Sequence, residues 1–263
     1  MNDLEKYFEQ NTKREILKWM HYFDVYDRHF KQYRNKEVVI LEIGICKGGS
    51  LQMWKNYFGP KAKIYGIDIN PECKEFEEEN IEIFIGSQSD RKFLREFVQK
   101  IPKIDILIDD GGHTMDQQII SFEELYGHIK DDGIYFCEDV HTSYWRTYGG
   151  GYKKKSSFIE YSKNLIDNLN AYHSQNKKFK VNEFTRSADS IHFYDSIVVI
   201  EKKRHDTPPC ARSTSNGYIN TTPIYDHSFE SFITNYFGNT SLFKATKKGF
   251  IGNIIRKIKQ LKS

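Results

Sequence analysis

The stretch Val38-Val39-Ile40-Leu41-Glu42-Ile43-Gly44-Ile45-Cys46-Lys47-Gly48-Gly49-Ser50-Leu51 decides the fold. Its first six residues form a short apolar run that reads as a buried parallel strand. The run enters a glycine loop, after which Leu51, Met53, Trp54 and Tyr57 mark a helix. A strand, a glycine turn and a helix gather backbone N–H groups at one point, and small residues let a ligand approach them. The dinucleotide fingerprint is Gly-x-Gly-x-x-Gly. The order Gly44-Ile45-Cys46-Lys47-Gly48-Gly49 fails that test.

Outward from this loop the pattern repeats. Lys63-Ile64-Tyr65-Gly66-Ile67-Asp68, Ile81-Glu82-Ile83-Phe84-Ile85, Ile104-Asp105-Ile106-Leu107-Ile108 and Gly133-Ile134-Tyr135-Phe136-Cys137 read as four further strands. Helical stretches at 90–100 and 115–130 fall between the later ones. This alternation predicts an α/β, doubly wound, mostly parallel sheet. A helix over 156–172 follows. Strands over 181–186 and 191–201, joined by Ser187-Ala188-Asp189-Ser190, then predict an antiparallel pair that completes seven Rossmann-like strands.

Residues 1–34 read as a helical segment. Trp19, Tyr22, Phe23, Tyr26, Phe30 and Tyr33 give it one aromatic face, either a packing stripe or a lid. The main domain is expected over 35–203 and an extension over 204–263. Pro208-Pro209 and the Ser/Thr/Asn-rich chain up to Thr222 read as irregular. Residues 244–263 hold seven Lys or Arg and no acid, with apolar residues at helical spacing. That pattern predicts a basic amphipathic helix, suited to a partner surface or to peripheral contact with an anionic membrane.

A net charge of +3 over 263 residues implies no strong polyanion field, and nucleic-acid binding is not expected. Four cysteines without Cys-x-x-Cys spacing exclude a zinc knuckle and favour a reducing compartment. The charged start lacks an apolar signal-peptide core, so a cytoplasmic protein is expected.

The chemistry lies at the strand ends. Glu42 near the end of the first strand, Gly44, Gly48 and Ser50 in the loop, and Asp68 ending the second strand suit S-adenosylmethionine, with Asp68 accepting ribose hydroxyls. Gly86-Ser87-Gln88-Ser89-Asp90 falls where adenine would be recognised. Asp109-Asp110-Gly111-Gly112-His113 and Glu138-Asp139-Val140-His141 open at the carboxyl ends of the fourth and fifth strands, the ligand-binding side of such a sheet. Carboxylates packed this closely repel unless a cation sits among them. Magnesium or manganese suits hard oxygen ligands. His113 and His141 lie among these acids, and histidine is the side chain suited to a general base at neutral pH. Tyr144, Trp145, Tyr148 and Gly149-Gly150-Gly151 read as a sugar-stacking flap or as an ordinary glycine-rich loop.

These motifs, Leu41-Glu42-Ile43-Gly44 with Gly48-Gly49-Ser50-Leu51, Asp110-Gly111-Gly112-His113 and Glu138-Asp139, resemble the metal-dependent sugar O-methyltransferases of the mycinamicin and macrocin type. Related proteins are encoded with bacterial polysaccharide biosynthesis enzymes. The resemblance spans residues 15–200. It implies a class I methyltransferase fold with Asp110, Glu138 and Asp139 on magnesium, and His113 or Asp110 as base. Asp109 falls among the cofactor-side residues. The acceptor implied is a sugar hydroxyl on a small molecule or glycan, and a homo-oligomer is expected. Two other readings compete. One is a non-haem iron hydroxylase using His113, Asp139 and His141. The other is a catalytically idle partner subunit.

Overall fold

Five strands, β1 (Val39–Ile43), β2 (Lys63–Asp68), β3 (Ile81–Ile85), β4 (Ile104–Asp109) and β5 (Ile129–Cys137), lie parallel in the order β3-β2-β1-β4-β5 in a computed structural model of the chain. The structure describes residues 1–221 except 177 and 216. An antiparallel pair, β6 (Ala188–Tyr194) and β7 (Ile197–Lys202), completes the sheet, with β7 against β5. The doubly wound seven-stranded sheet expected from the sequence is therefore present. The chain order reverses between β1 and β4, which opens a crevice at their carboxyl ends.

Seven helices pack around it among the described residues: α1 (Asp3–Glu9), α2 (Tyr22–Phe30), α3 (Gly49–Phe58), α4 (Arg91–Phe97), α5 (Met115–Leu125), α6 (Phe158–Leu169) and α7 (Glu183–Ser187). Side chains fix several starts. Asn2 and Glu5 make a capping box on α1, Thr114 and Gln117 make one on α5, and Asp90 caps α4. One face of the sheet carries an aromatic core. Tyr26 lies 5.0 Å from Trp54 and 5.1 Å from Phe136 between ring centroids, all fully buried. Removing a ring of this kind costs about 3–5 kcal/mol.

Three local expectations need correction. The helical segment expected over 1–34 is two helices separated by a non-helical strap at residues 10–21. Asn11 starts that break, since its side chain bonds the Lys13 N–H and the Arg14 carbonyl in place of a helical turn. Trp19, on the strap, is 56% exposed rather than part of the packed face. The hairpin turn lies at Asp195-Ser196 and not at 187–190, with Ser196 left-handed at φ 63°. The chain over 183–187 is helical because Asn182 and Thr185 form a capping box there.

The chain divides into two compact units, Met1–Thr207 and Pro208–Ser263. Within the second, β8 (Cys210–Thr214) and β9 (Gly217–Thr221) pair as a hairpin where irregular chain was expected, with Gly217 at φ 104° beside the turn. The basic tail 244–263 lies outside the described residues. No helix among them is long and apolar enough to cross a membrane.

Candidate active site

The crevice holds a cavity of about 640 Å³, within the usual range for small-molecule sites. Its walls come from the loops after β1, β2, β3, β4 and β5, and from the strap. The β1 and β4 loops touch. A Cβ on Gly44, which has φ +87°, would stand 2.1 Å from the Asp110 carbonyl oxygen, so only glycine fits. Gly44 N–H donates to the Ile67 carbonyl, and Asp110 N–H donates to that of Ile43, which extends the sheet ladder into both loops.

Gly44, Ser50, Asp68, Ser87 and Gln88 line the cavity. Glu42, Gly48 and Asp109 are buried behind it. The Glu42 carboxylate accepts from Ser50 Oγ at 2.9 Å, while its Oε1 has no partner. Burial pushes Glu42 up to about 7. Asp68 accepts from the backbone N–H groups of Ile45, Cys46 and Asn70, so it also holds the glycine loop in shape. A carboxylate offers about four acceptor positions, which leaves Asp68 capacity for a ligand hydroxyl. Gln88 uses its amide on the protein itself, donating to Asp109 and Ser121 and accepting from Gly112 N–H. It therefore ties the β3 loop to the β4 loop. Burial pushes Asp109 up to about 7.

Two of the acids and His113 come together. Donor atoms of Asp110, His113 and Asp139 all lie within 4.8 Å of one another. His113 Nε2 is 3.5 Å from Asp139 Oδ2 and 3.9 Å from Asp110 Oδ1. His113 and Asp139 both hold left-handed backbone, at φ 56° and 51°. Such conformations cost energy and cluster at functional sites. Asp139 Oδ1 accepts from Tyr22 Oη at 2.6 Å. Glu138 faces the same space, and its Oε1 is buried without a partner. Burial and the neighbouring Asp110 carboxylate push Glu138 up.

The sequence reading missed Lys18. Its ammonium, 3% exposed, bonds Asp110 Oδ2 and lies 2.8 Å from Glu138 Oε2. Burial alone would lower its pKa, but Asp110, Glu138 and Glu42 outweigh that and hold it well above the ordinary lysine range. One lysine among 39 Lys and Arg gives no local signal of this role. The aromatic face that includes Tyr22 reads as a packing stripe or a lid, and neither reading gives the contact of the Tyr22 hydroxyl with Asp139.

His141 does not join the converging set. Its Nδ1 pairs with Ser196 Oγ, on the Asp139 Oδ1 side. The two-histidine, one-carboxylate set needed for a non-haem iron centre is therefore not assembled. The His141 ring instead sits 4.7 Å from Trp145 and 6.1 Å from Trp19, both about half exposed.

No family model matches the chain. It is 36% identical over 199 residues to demethylmacrocin O-methyltransferase of Streptomyces fradiae, covering 70% of this chain and 50% of that protein. It is 34% identical over 200 residues to mycinamicin VI 2''-O-methyltransferase of Micromonospora griseorubida, covering 72% and 50%. A solved structure of the MycE methyltransferase from the mycinamycin pathway, in complex with Mg and SAH, aligns with TM-score 0.74 at 30% identity, over 91% of this chain and 60% of that one. The chain thus spans about half the length of the curated relatives it matches. Over the part it shares with them, the chain is similar in sequence to these O-methyltransferases, and its sheet is the class I methyltransferase fold.

Proposed function

We propose that this protein is an S-adenosylmethionine- and magnesium-dependent O-methyltransferase acting on a sugar hydroxyl. One observation carries the reading: the Asp110–His113–Asp139 cluster faces the same cavity as the Gly44 loop, so an acid–base centre and a cofactor loop share one space.

The donor set fits a hard divalent cation. With Asp110, Glu138 and Asp139 ionised and Lys18 protonated, the site carries two excess negative charges, which one such ion would balance. Asp110 and Asp139 would hold it, with Glu138 through the oxygen that has no partner. The ion, when bound, would acidify an acceptor hydroxyl, and S-adenosylmethionine would supply the methyl group. His113, whose Nε2 is 3.5 Å from Asp139 Oδ2 and 3.9 Å from Asp110 Oδ1, would take the hydroxyl proton. Tyr22 and Lys18 fix the carboxylates, and the two walls position both reactants. Asp68 and Ser50 would hold the cofactor, with Ser87 beside them on the β3 loop that Gln88 fixes in place.

For the acceptor, the exposed rings of Trp19 and Trp145 around His141 offer apolar faces for a sugar or its carrier. One relative, 32% identical, is named for a rhamnosyl tetracenomycin, which favours a small glycoside, while nucleotide sugars and surface-polysaccharide precursors share the same diol chemistry. The test is a methyl-transfer screen over glycosides and nucleotide sugars. Activity is expected to vanish in EDTA and return with magnesium. Metal-independent transfer would overturn the reading.

A further inference from the structure

A second cluster of metal-ligating side chains lies outside the cavity. Among the described residues, donor atoms of His29, His192 and Glu201 fall within 4.8 Å of one another. His29 comes from the last turn of α2, His192 from β6 and Glu201 from β7. Ser190 pairs with Glu201 across the two strands. His192 follows two residues later, on the same side of the strand as Ser190.

The spacing suits an ion. His29 Nδ1 is 2.8 Å from Glu201 Oε1, and His192 Nε2 is 3.4 Å from Glu201 Oε2. Ligands of a tetrahedral zinc ion at ~2.0–2.1 Å stand about 3.3 Å apart. The two histidine–carboxylate spacings lie within about half an ångström of that value, and all three donor atoms fall within 4.8 Å of one another. Ser190 Oγ, 2.9 Å from His192 Nε2 and 3.1 Å from Glu201 Oε2, marks a fourth polar position. His29 Nε2 is held at 3.0 Å by the Tyr194 hydroxyl, the outer contact that orients a ligating imidazole. His29 is buried, while His192 and Glu201 are about one-third exposed, so the cluster is anchored inside and open to solvent.

We propose that His29, His192 and Glu201 form a zinc site, completed by water or by Ser190. Two imidazoles and one carboxylate suit a borderline ion, unlike the oxygen-rich cavity cluster. Such an ion would tie α2 to the β6–β7 edge. Because α2 begins at Tyr22, whose hydroxyl holds Asp139, the ion would stiffen one wall of the cavity from outside.

The full chain, stripped with EDTA and dialysed, would be titrated with zinc in excess magnesium, so that the cavity carboxylates are not the readout. The proposal expects about one zinc per chain and a higher melting temperature with zinc. It expects His192→Ala, at a partly exposed position, to weaken binding by more than about tenfold and to lose the shift. Asp139→Asn should leave zinc uptake unchanged. No uptake by the wild type would show a hydrogen-bonded histidine–glutamate pair and overturn the proposal. Equal uptake by His192→Ala, or loss of uptake in Asp139→Asn, would overturn it as well.

Discussion

The Lys18 ammonium lies 2.8 Å from Glu138 Oε2, with 3% and 1% of the two side chains exposed. The same ammonium bonds Asp110, so one cation joins the loops after β4 and β5. Removing one partner of a buried pair leaves the other charge uncompensated. Lys18→Met should therefore destabilise the ion-free protein by about 3 kcal/mol in urea unfolding. Magnesium should restore more stability to the variant than it adds to the wild type, because no ammonium then opposes it. Equal stability and equal magnesium response would mean that the pair carries no such weight.

The strap is seated on the glycine loop after β1. A Cβ on Gly49 would stand 2.2 Å from the Glu15 carbonyl oxygen and 2.6 Å from that of Arg14. Gly49→Ala must push the strap outward. Trypsin should cut the variant after Arg14 and Lys18 faster than the wild type, and S-adenosylhomocysteine should bind more weakly. A cleavage pattern like that of the wild type would refute the contact.

Stability should depend on pH through Glu42. Its folded carboxyl holds a proton up to about 7, against 4.5 ordinarily, because it is buried. Between those values the folded state binds more protons than the unfolded one, so stability falls as pH rises through that window. The Glu42 contribution is roughly 3 kcal/mol across it. Glu42→Gln should flatten this part of the slope and be the more stable protein at pH 8 in the ion-free state. Parallel melting curves for the two proteins at pH 5 and pH 8 would argue against it.

His113 is assigned the proton transfer. His113→Asn keeps a residue that tolerates the left-handed backbone found there. Turnover should fall by roughly 10²–10⁴-fold, the usual worth of a general base. Calorimetry should show S-adenosylhomocysteine binding little changed. Retained turnover would move the base role to Asp110.

The strands, the glycine loop and the positions of the acids were legible because each rests on local pattern. Apolar runs mark buried strands, and in a parallel sheet every strand delivers its last residues to the same edge. Asp68, Asp110, Glu138 and Asp139 were bound to meet near Gly44 once those strands were recognised. The hairpin turn was misplaced because the stretch 181–187 carries both a strand-like pattern and a capping box, and the cap prevailed.

What the sequence by itself determined, then, is the sheet, the glycine loop after β1 and which acids share an edge. What only the tertiary structure decided is which partners those acids take. Lys18 reaches Asp110 across 92 positions and Glu138 across 120, and Tyr22 reaches Asp139 across 117. A buried charge must find its counter-charge in space, and no periodicity along the chain records where that is. The same holds for His29, which meets Glu201 only because α2 packs on the sheet edge.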